Sequence, residues 1–268
     1  MEGDMHGGAV KIHTPEDFVG MRAAGQLAAR TLDMITPHVR EGVTTAELDR
    51  LIHDYMIANG AVPATLGYRG YPASSCISIN HVVCHGIPGE KTLKDGDILN
   101  IDVTVILDGW YGDTSRMYTV GKVKLRAQKL IEATYESLML AINAVRPGAT
   151  LNDIGRVIQT YAEARRFSVV RDFCGHGIGR TFHAPPNVLH YDSPDVDLVL
   201  RPGMFFTIEP MLNIGRPDVK ILEDRWTAVT RDRSLSAQFE HMMGVTEDGC
   251  EVFTLSPAGY TCPPYTQA

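Results

Sequence analysis

Five side chains that bind metals well, Asp102, Asp113, His176, Glu209 and Glu240, are spread over the middle and end of a 268-residue chain. Four carboxylates and one imidazole suit two divalent cations better than one, because a structural zinc usually takes four ligands rich in sulfur and nitrogen. A pair of cations about 3.5–4 Å apart needs shared carboxylates and can ready a water for hydrolysis. Carboxylates are also costly to bury without compensation. Asp102 stands in Ile-Asp-Val-Thr-Val-Ile, Glu209 in MFFTIEPML and Glu240 in SAQFEHMM. Three acids planted in apolar runs are improbable as three accidents. The bland alternative for Asp102 is a hydrogen bond to a nearby hydroxyl or to Arg116.

The elements that must position these groups can be read locally. In ILNIDVTVILDGWYGDTSRMYTV, Asp108-Gly109 signals a two-residue hairpin, because a type I′ turn needs positive φ at both central positions. Centred there, the turn sets Leu107 opposite Trp110 and Thr104 opposite Asp113. Asp102 shares a strand face with Thr104, so the two metal-binding aspartates become diagonal cross-strand neighbours about 7–8 Å apart. Asp108 itself serves only its turn. In FCGHGIGRTFHAPPNV, glycines around His176 let backbone approach a ligand closely. A dinucleotide fingerprint on Gly175, Gly177 and Gly179 fails, since no helix follows and Pro185-Pro186 forbids one. His85, His176 and His183 all fall beside strand ends. His6, His13, His38, His53 and His190 read as surface, and His81 and His241 as structural. A Gly-x-Ser-x-Gly elbow and a Walker loop are both missing, so acid–base work falls to metals, a carboxylate and histidines.

The chain carries an internal echo. VREGVTTAELDRLIHDY (39–55) aligns without gaps to VRPGATLNDIGRVIQTY (145–161), each copy reading as a Gly turn, a capping Thr and an amphipathic helix. Two related halves follow, roughly 10–120 and 121–255, packed about a pseudo-two-fold axis in a single domain spanning 1–268. Residues 1–10 and 256–268 read as flexible tails. Helices are expected over Thr14–Ile35, Thr45–Asn59, Arg126–Val145 and Leu151–Arg165. Strands are expected over Ser75–Asn80, Ile98–Leu107, Trp110–Val120, Phe205–Ile208, Ser236–Thr246 and Glu251–Leu255. Helices ahead of antiparallel strands make the fold class α+β.

Composition narrows the function. A formal charge of −7 argues against binding nucleic acid through net charge. The acidic N-terminus is no secretory signal, and no apolar run approaches the roughly 18 residues of a membrane span. The cysteines, Cys76, Cys84, Cys174, Cys250 and Cys262, are odd in number and form no CxxC pair, which points to a reducing cytoplasm. Cys174 reads as small buried filler. The basic cluster Lys122, Lys124, Arg126 and Lys129 reads as a solvated helix start.

At GYRGYPASSCISINHVVCHGIP, LNIDVTVILDGWYGDTSRMY, CGHGIGRTFHAPPNV, GMFFTIEPML and RSLSAQFEHMMGVTEDG the chain resembles the type I methionine aminopeptidases of the bacterial form. The resemblance runs from about Lys11 to Leu255. The short span from His183 to Glu209, and the lack of a zinc-finger extension, fit that type. It implies the pita-bread fold of the creatinase and aminopeptidase group, with two pseudo-symmetric halves around a curved antiparallel sheet. It also implies two divalent metal ions (Co, Mn, Fe or Zn). Asp102 would chelate one ion, His176 with Glu209 the other, and Asp113 and Glu240 both. By the same likeness Glu209 is the general base, His183 stabilises charge on the scissile carbonyl, and His85 contacts the substrate backbone and assists proton movement. Tyr68, Tyr71, Cys76, Phe182 and Trp226 would form the methionine pocket. Thr65 stands where relatives often carry Cys. A monovalent cation would sit at Asn80, Val82 and Ser236. The implied partners are the N-terminal methionine of nascent polypeptides, with a small residue following, and a transient ribosome contact. The implied enzyme is cytoplasmic and monomeric, without a membrane. Two other readings compete: a proline-directed peptidase of the same fold, which usually adds a large N-terminal domain, and a binding module that has lost its chemistry.

Overall fold

The computed structural model describes residues 9–195 and 198–265. His6 and the outermost parts of both expected tails lie outside them. Helices α1 (Asp17–Ile35), α2 (Thr45–Ala58), α3 (Leu125–Ala144) and α4 (Leu151–Ala164) pack against antiparallel strands, giving an α+β architecture. In both copies of the echo a glycine at φ 87° turns the chain, Gly42 and Gly148. A threonine then caps the helix, with Thr44 Oγ1 accepting from Glu47 N at 3.1 Å and Thr150 Oγ1 from Asp153 N at 3.3 Å. The Asp153 carboxylate accepts in return from Thr150 N at 2.8 Å, closing a capping box. Helix α1 begins at Asp17 rather than Thr14, because the Thr14 and Asp17 amides are taken up in a turn between those two residues.

The hairpin holds the expected register. Asp108 and Gly109 have φ of 50° and 78°, as a type I′ turn requires, and Leu107 faces Trp110 while Thr104 faces Asp113. Strands Ile98–Leu107 and Trp110–Thr119 are each ten residues long and buried on both faces. Leu99, Ile101, Val103 and Val105 enter a core with Leu27 and Leu32 of α1 and Leu48 and Ile52 of α2. Asn100, Asp102 and Thr104, of opposite parity, face the other way. A second core joins α3 and α4 to Phe206, Ile208, Leu212 and Met243.

Ser236–Thr246, expected as one strand, breaks at Glu240. Ser236–Gln238 pairs with Met211–Asn213, and His241–Val245 pairs with Phe205–Ile208. Between them Glu240 N donates to Ser115 O at 3.1 Å, and Thr114 Oγ1 donates to Glu240 O at 2.7 Å. The break exists because the chain exchanges one pairing partner for another, and that exchange brings Glu240 to the hairpin. Cys250–Val252, His241–Val245, Phe205–Ile208, Gly175–Gly177 and Ala184–Val188 form one five-stranded sheet in that order.

The segment expected as a tail from 256 is instead strapped down through 265. Asp33 accepts from Ser256 Oγ at 2.7 Å and from Ala258 N at 3.1 Å, and Tyr265 Oη donates to Met117 O at 2.7 Å. Its Ser256 and Tyr265 hydroxyls found fixed acceptors, which a local reading of Pro, Gly and polar residues does not register. Among the described residues no helix is long and apolar enough to cross a membrane.

Candidate metal centre

Asp113, His176 and Glu240 converge. One ligand atom from each lies within 4.8 Å of the others, and all three residues are buried. Asp113 comes from the hairpin, His176 from the inner strand Gly175–Gly177, and Glu240 from the strand break. Asp113 Oδ1 accepts from Thr104 Oγ1 at 2.8 Å, which aims Oδ2 at His176 Nε2, 3.5 Å away. Glu209 Oε1 lies 3.7 Å from the same imidazole nitrogen. Thr207, two residues earlier on the same strand face, donates to Glu209 Oε1 at 2.8 Å and accepts from His176 N at 3.0 Å. Gln238 Nε2 reaches Glu209 Oε2 at 3.3 Å.

Gly175 and Gly177 do not open His176 to a ligand, as the sequence suggests. A Cβ on Gly175 would lie 2.3 Å from Thr207 O, and one on Gly177 2.1 Å from Pro185 O. The glycines let neighbouring strands close in on both sides of His176, and so hold its backbone.

Asp102 lacks the bland partners open to it. Arg116 turns away to Asp33 at 2.8 Å, and Asp102 Oδ1 is buried with no hydrogen-bond partner among the described residues. Burial, then the charges of Asp113 and Glu209, push Asp102 well above the ordinary carboxylate range. Glu240 is raised the same way, by burial and then by Asp113, Glu209 and Asp102. For His176 burial pulls downward, but the hydrogen bond to Asp113 and the charges of Glu209 and Asp113 outweigh it and raise the imidazole. Oxygen-rich donors with one imidazole, crowded enough to repel one another and including an orphaned carboxylate oxygen, fit divalent cations.

Beside this centre lie His183 and His85. The His183 and His176 rings are 4.2 Å apart, and Tyr68 Oη is 2.9 Å from His183 Nδ1. Burial and the neighbouring His176, His85 and Arg69 bring His183 down to about 2. Burial takes His85 to about 4. Both imidazoles are therefore uncharged at neutral pH. His85 meets Phe173 and Trp226 edge to face, with centroids 5.4 and 6.2 Å away. Tyr71, Ala73 and Cys76 pack with Ile87 and Trp226 in one apolar cluster. Phe182 lies 4.9 Å from Tyr68 and stacks on Tyr111 at 5.5 Å. Burial and Asp102 push the Cys76 thiol well up, so it is a packing group rather than a nucleophile. Thr65 Oγ1 donates to Ala73 O at 3.0 Å, tying its hydroxyl to the loop backbone.

Elsewhere the Asn80 carbonyl accepts from Ser236 N at 2.9 Å, and the buried Ser236 Oγ has no partner among the described residues. Two histidines read as surface are buried. His13 is stacked on Phe205 at 4.1 Å with Nδ1 on Asp17, and His190 is fully enclosed. Both rings found distant partners that no local pattern reveals. His53 is half-buried against Ser74 Oγ, at 2.8 Å, and His38 is exposed. His241 bonds Thr254. Cys174 is half-buried rather than core filler, while Cys76 and Cys84 are buried, because Cys174 precedes the enclosed strand instead of lying in it. Thr207 and Gln238 are additional site residues. The two-residue spacing of Thr207 from Glu209 was the available signal; Gln238 had none.

A model of metallopeptidase family M24 matches residues 19–247. The methionine aminopeptidase of Rickettsia prowazekii (strain Madrid E) is 59% identical over 257 residues, 96% of this chain and 99% of that protein. That of Escherichia coli (strain K12) is 58% identical over 249 residues, 92% of this chain and 94% of that protein. The crystal structure of the Rickettsia prowazekii methionine aminopeptidase superposes with a TM-score of 0.91, covering 92% of this chain and 100% of that one. An Xaa-Pro dipeptidase from Bacillus anthracis, 23% identical, shares the fold with a TM-score of 0.74 and is covered over 62% of its length.

Proposed function

The chain belongs to metallopeptidase family M24, and on that premise we propose that it removes N-terminal methionine from nascent proteins and peptides whose second residue is small. The observation that carries this reading is the convergence of Asp113, His176 and Glu240, with Tyr71, Cys76 and Trp226 packed in one apolar cluster. Asp102, Asp113, His176, Glu209 and Glu240 would hold two divalent cations, drawn from Co, Mn, Fe or Zn, with Asp113 and Glu240 shared. The first two ligands belong to the half 10–120 and the others to the half 121–255, so the single catalytic domain is complete only when both halves meet. When bound, the cations supply a water that is nucleophilic at neutral pH and a polarised carbonyl.

The protein's own groups do the rest. Glu209, anchored by Thr207 and Gln238, takes the proton from the attacking water. His85, kept uncharged by burial, contacts the substrate backbone and carries a proton toward the leaving nitrogen. Tyr68 Oη lies 2.9 Å from His183 Nδ1; with the phenol as donor, the ring proton would sit on Nε2 and donate to the carbonyl oxygen as charge develops there. Tyr68→Phe frees the ring to adopt the other tautomer. We expect kcat to fall by about 10–100-fold, the range for losing a partner that orients a site ligand, with KM within a few-fold. A KM effect alone would place Tyr68 only in the pocket. Tyr71, Cys76, Phe182 and Trp226 line that pocket with Tyr68, offering rings and sulfur to a flexible thioether.

Metal-dependent release of Met from a Met-Ala peptide, with no cleavage of an Ala-Pro peptide, is the expected result. The reverse preference would favour the proline-directed reading. Asn80, Val82 and Ser236 would hold a monovalent cation, for which the unpartnered Ser236 hydroxyl is the support. A melting temperature indifferent to K⁺ would remove that site. We infer a cytoplasmic monomer, and the same substrate logic supports a transient ribosome contact through Lys122, Lys124, Arg126 and Lys129. Unchanged ribosome co-sedimentation after charge reversal there would count against that surface.

A further inference from the structure

Glu209 occupies an awkward place in its sheet. Pairing with His241–Val245 ends at Ile208, and Pro210 follows. The Glu209 amide therefore lies just past the ladder, where a buried N–H without an acceptor costs about 1–3 kcal/mol. The acceptor is a side chain far along the chain. His190, with no exposed surface, places Nε2 3.1 Å from Glu209 N. An N–H can donate only to a nitrogen lone pair, so Nε2 carries no proton and the single ring proton sits on Nδ1.

The Nδ1 atom is buried with no partner among the described residues. A ring that served only packing would be better replaced by a hydrocarbon, since an unpaired buried donor is a penalty. We propose that His190 is a positioning residue that fixes Glu209 for cation binding by accepting its backbone amide, a proposal that rests on Glu209 being a ligand. Glu209 is then gripped at three atoms by three segments: its amide by His190, Oε1 by Thr207 and Oε2 by Gln238.

The support for His190 reaches back to α4. A Cβ on Gly155 would stand 2.3 Å from Tyr191 O and 2.8 Å from Leu189 O. The loop thus rests on bare helix backbone on both sides of His190, and any side chain at 155 would push it away. Side chains of the same helix tie down the rest of that loop. Gln159 Oε1 accepts from Asp192 N at 2.8 Å, and Asn152 Oδ1 accepts from Ser193 N at 2.6 Å. The line of support runs from α4 through the 189–193 loop and an uncharged imidazole to the carboxylate. It places a residue buried in the second half behind a ligand that no contact in sequence connects to it.

The test uses the full chain stripped of metal by a chelator. Long-range ¹H–¹⁵N spectra should show His190 as the Nδ1–H tautomer, and the Glu209 amide should exchange slowly with solvent. His190→Leu should speed that exchange and weaken Mn²⁺ binding by about 10–100-fold in calorimetry, the usual cost of losing an outer-shell partner. His190→Gln, whose amide oxygen can reach the Nε2 position, should restore binding to within a few-fold. Gly155→Ala, which changes no residue at the cation site itself but displaces the loop that carries His190, should reproduce a milder loss. An Nε2–H tautomer, or Mn²⁺ binding unchanged in His190→Leu, would overturn the proposal, as would a His190→Gln variant as weak as His190→Leu. If wild-type protein bound no Mn²⁺, the reading of the site as a metal centre would fail instead. The tautomer and the amide exchange would still decide the His190–Glu209 bond, including if His190→Leu did not fold.

Discussion

Asp113→Ala and Glu240→Ala each lower kcat/KM on a Met-Ala peptide by on the order of 10³-fold or more, about 4 kcal/mol of transition-state stabilisation, while the fold survives. Both side chains are buried, 3% exposed, and both face the same space as His176. Each would be shared between cations, so truncation removes a ligand from two ions at once. Neither alanine unfolds the protein, because each deletes one charge from a cluster that repels itself. Asp113 gives up its contacts with Thr104 and His176, and Glu240 keeps its backbone bonds to Ser115 and Thr114. Steady-state kinetics at saturating Mn²⁺, with far-UV circular dichroism on the same samples, checks this. Activity within tenfold of wild type in either folded variant would remove the two-cation mechanism.

Without metal the site is a liability, and the second large effect follows from that. Asp102→Asn and Glu240→Gln should stabilise the chelator-treated protein at neutral pH by about 1–3 kcal/mol, since replacing an uncompensated buried charge by a neutral isostere is commonly stabilising by that amount. Asp102 and Glu240 both have raised values in the folded protein, through burial and like charge. Such groups contribute stability fully below their unfolded values, near 4. That contribution is lost as pH rises through the folded values, because the folded state holds the extra protons. Metal-free wild type should therefore melt progressively lower from about pH 5 to pH 8, and each variant should show a shallower slope. Saturating Mn²⁺ reverses the ranking. A cation at 100 times its dissociation constant adds about 2.7 kcal/mol to a protein that binds it only when folded, and the variants lack a ligand. Melts at pH 5 and pH 8, in chelator and in Mn²⁺, supply the comparison. A metal-free wild type as stable as both variants at pH 8 would mean the carboxylates are compensated by something other than a cation.

The sequence on its own determined whatever local physics controls. Asp108-Gly109 demanded a type I′ turn, and the turn set the register that puts Thr104 opposite Asp113. The two-residue parity of a strand then assigned Asp102 and Thr104 to the face opposite Ile101 and Val103. Threonines at 44 and 150 announced two helices by the caps they make. The acids in apolar strands stood out because burying them is expensive anywhere, whatever lies across from them. The expectation of a methionine pocket and of the catalytic roles came through likeness to a family, since nothing in spacing alone brings Tyr71 to Trp226.

The tertiary structure decided what depends on partners far away in the chain. Glu240 reaches the hairpin only because its strand exchanges Met211–Asn213 for Phe205–Ile208 and bonds Ser115 at the break. The strap over 256–265 exists because Asp33, in the first helix, offers it a carboxylate. His13 and His190 look like surface residues by their neighbours in sequence, yet Phe205 and the Glu209 amide enclose them. A polar side chain carries no mark of where its hydrogen-bond partner will be. Turn chemistry and strand parity act over a few residues, whereas those bonds join segments that the sequence keeps apart.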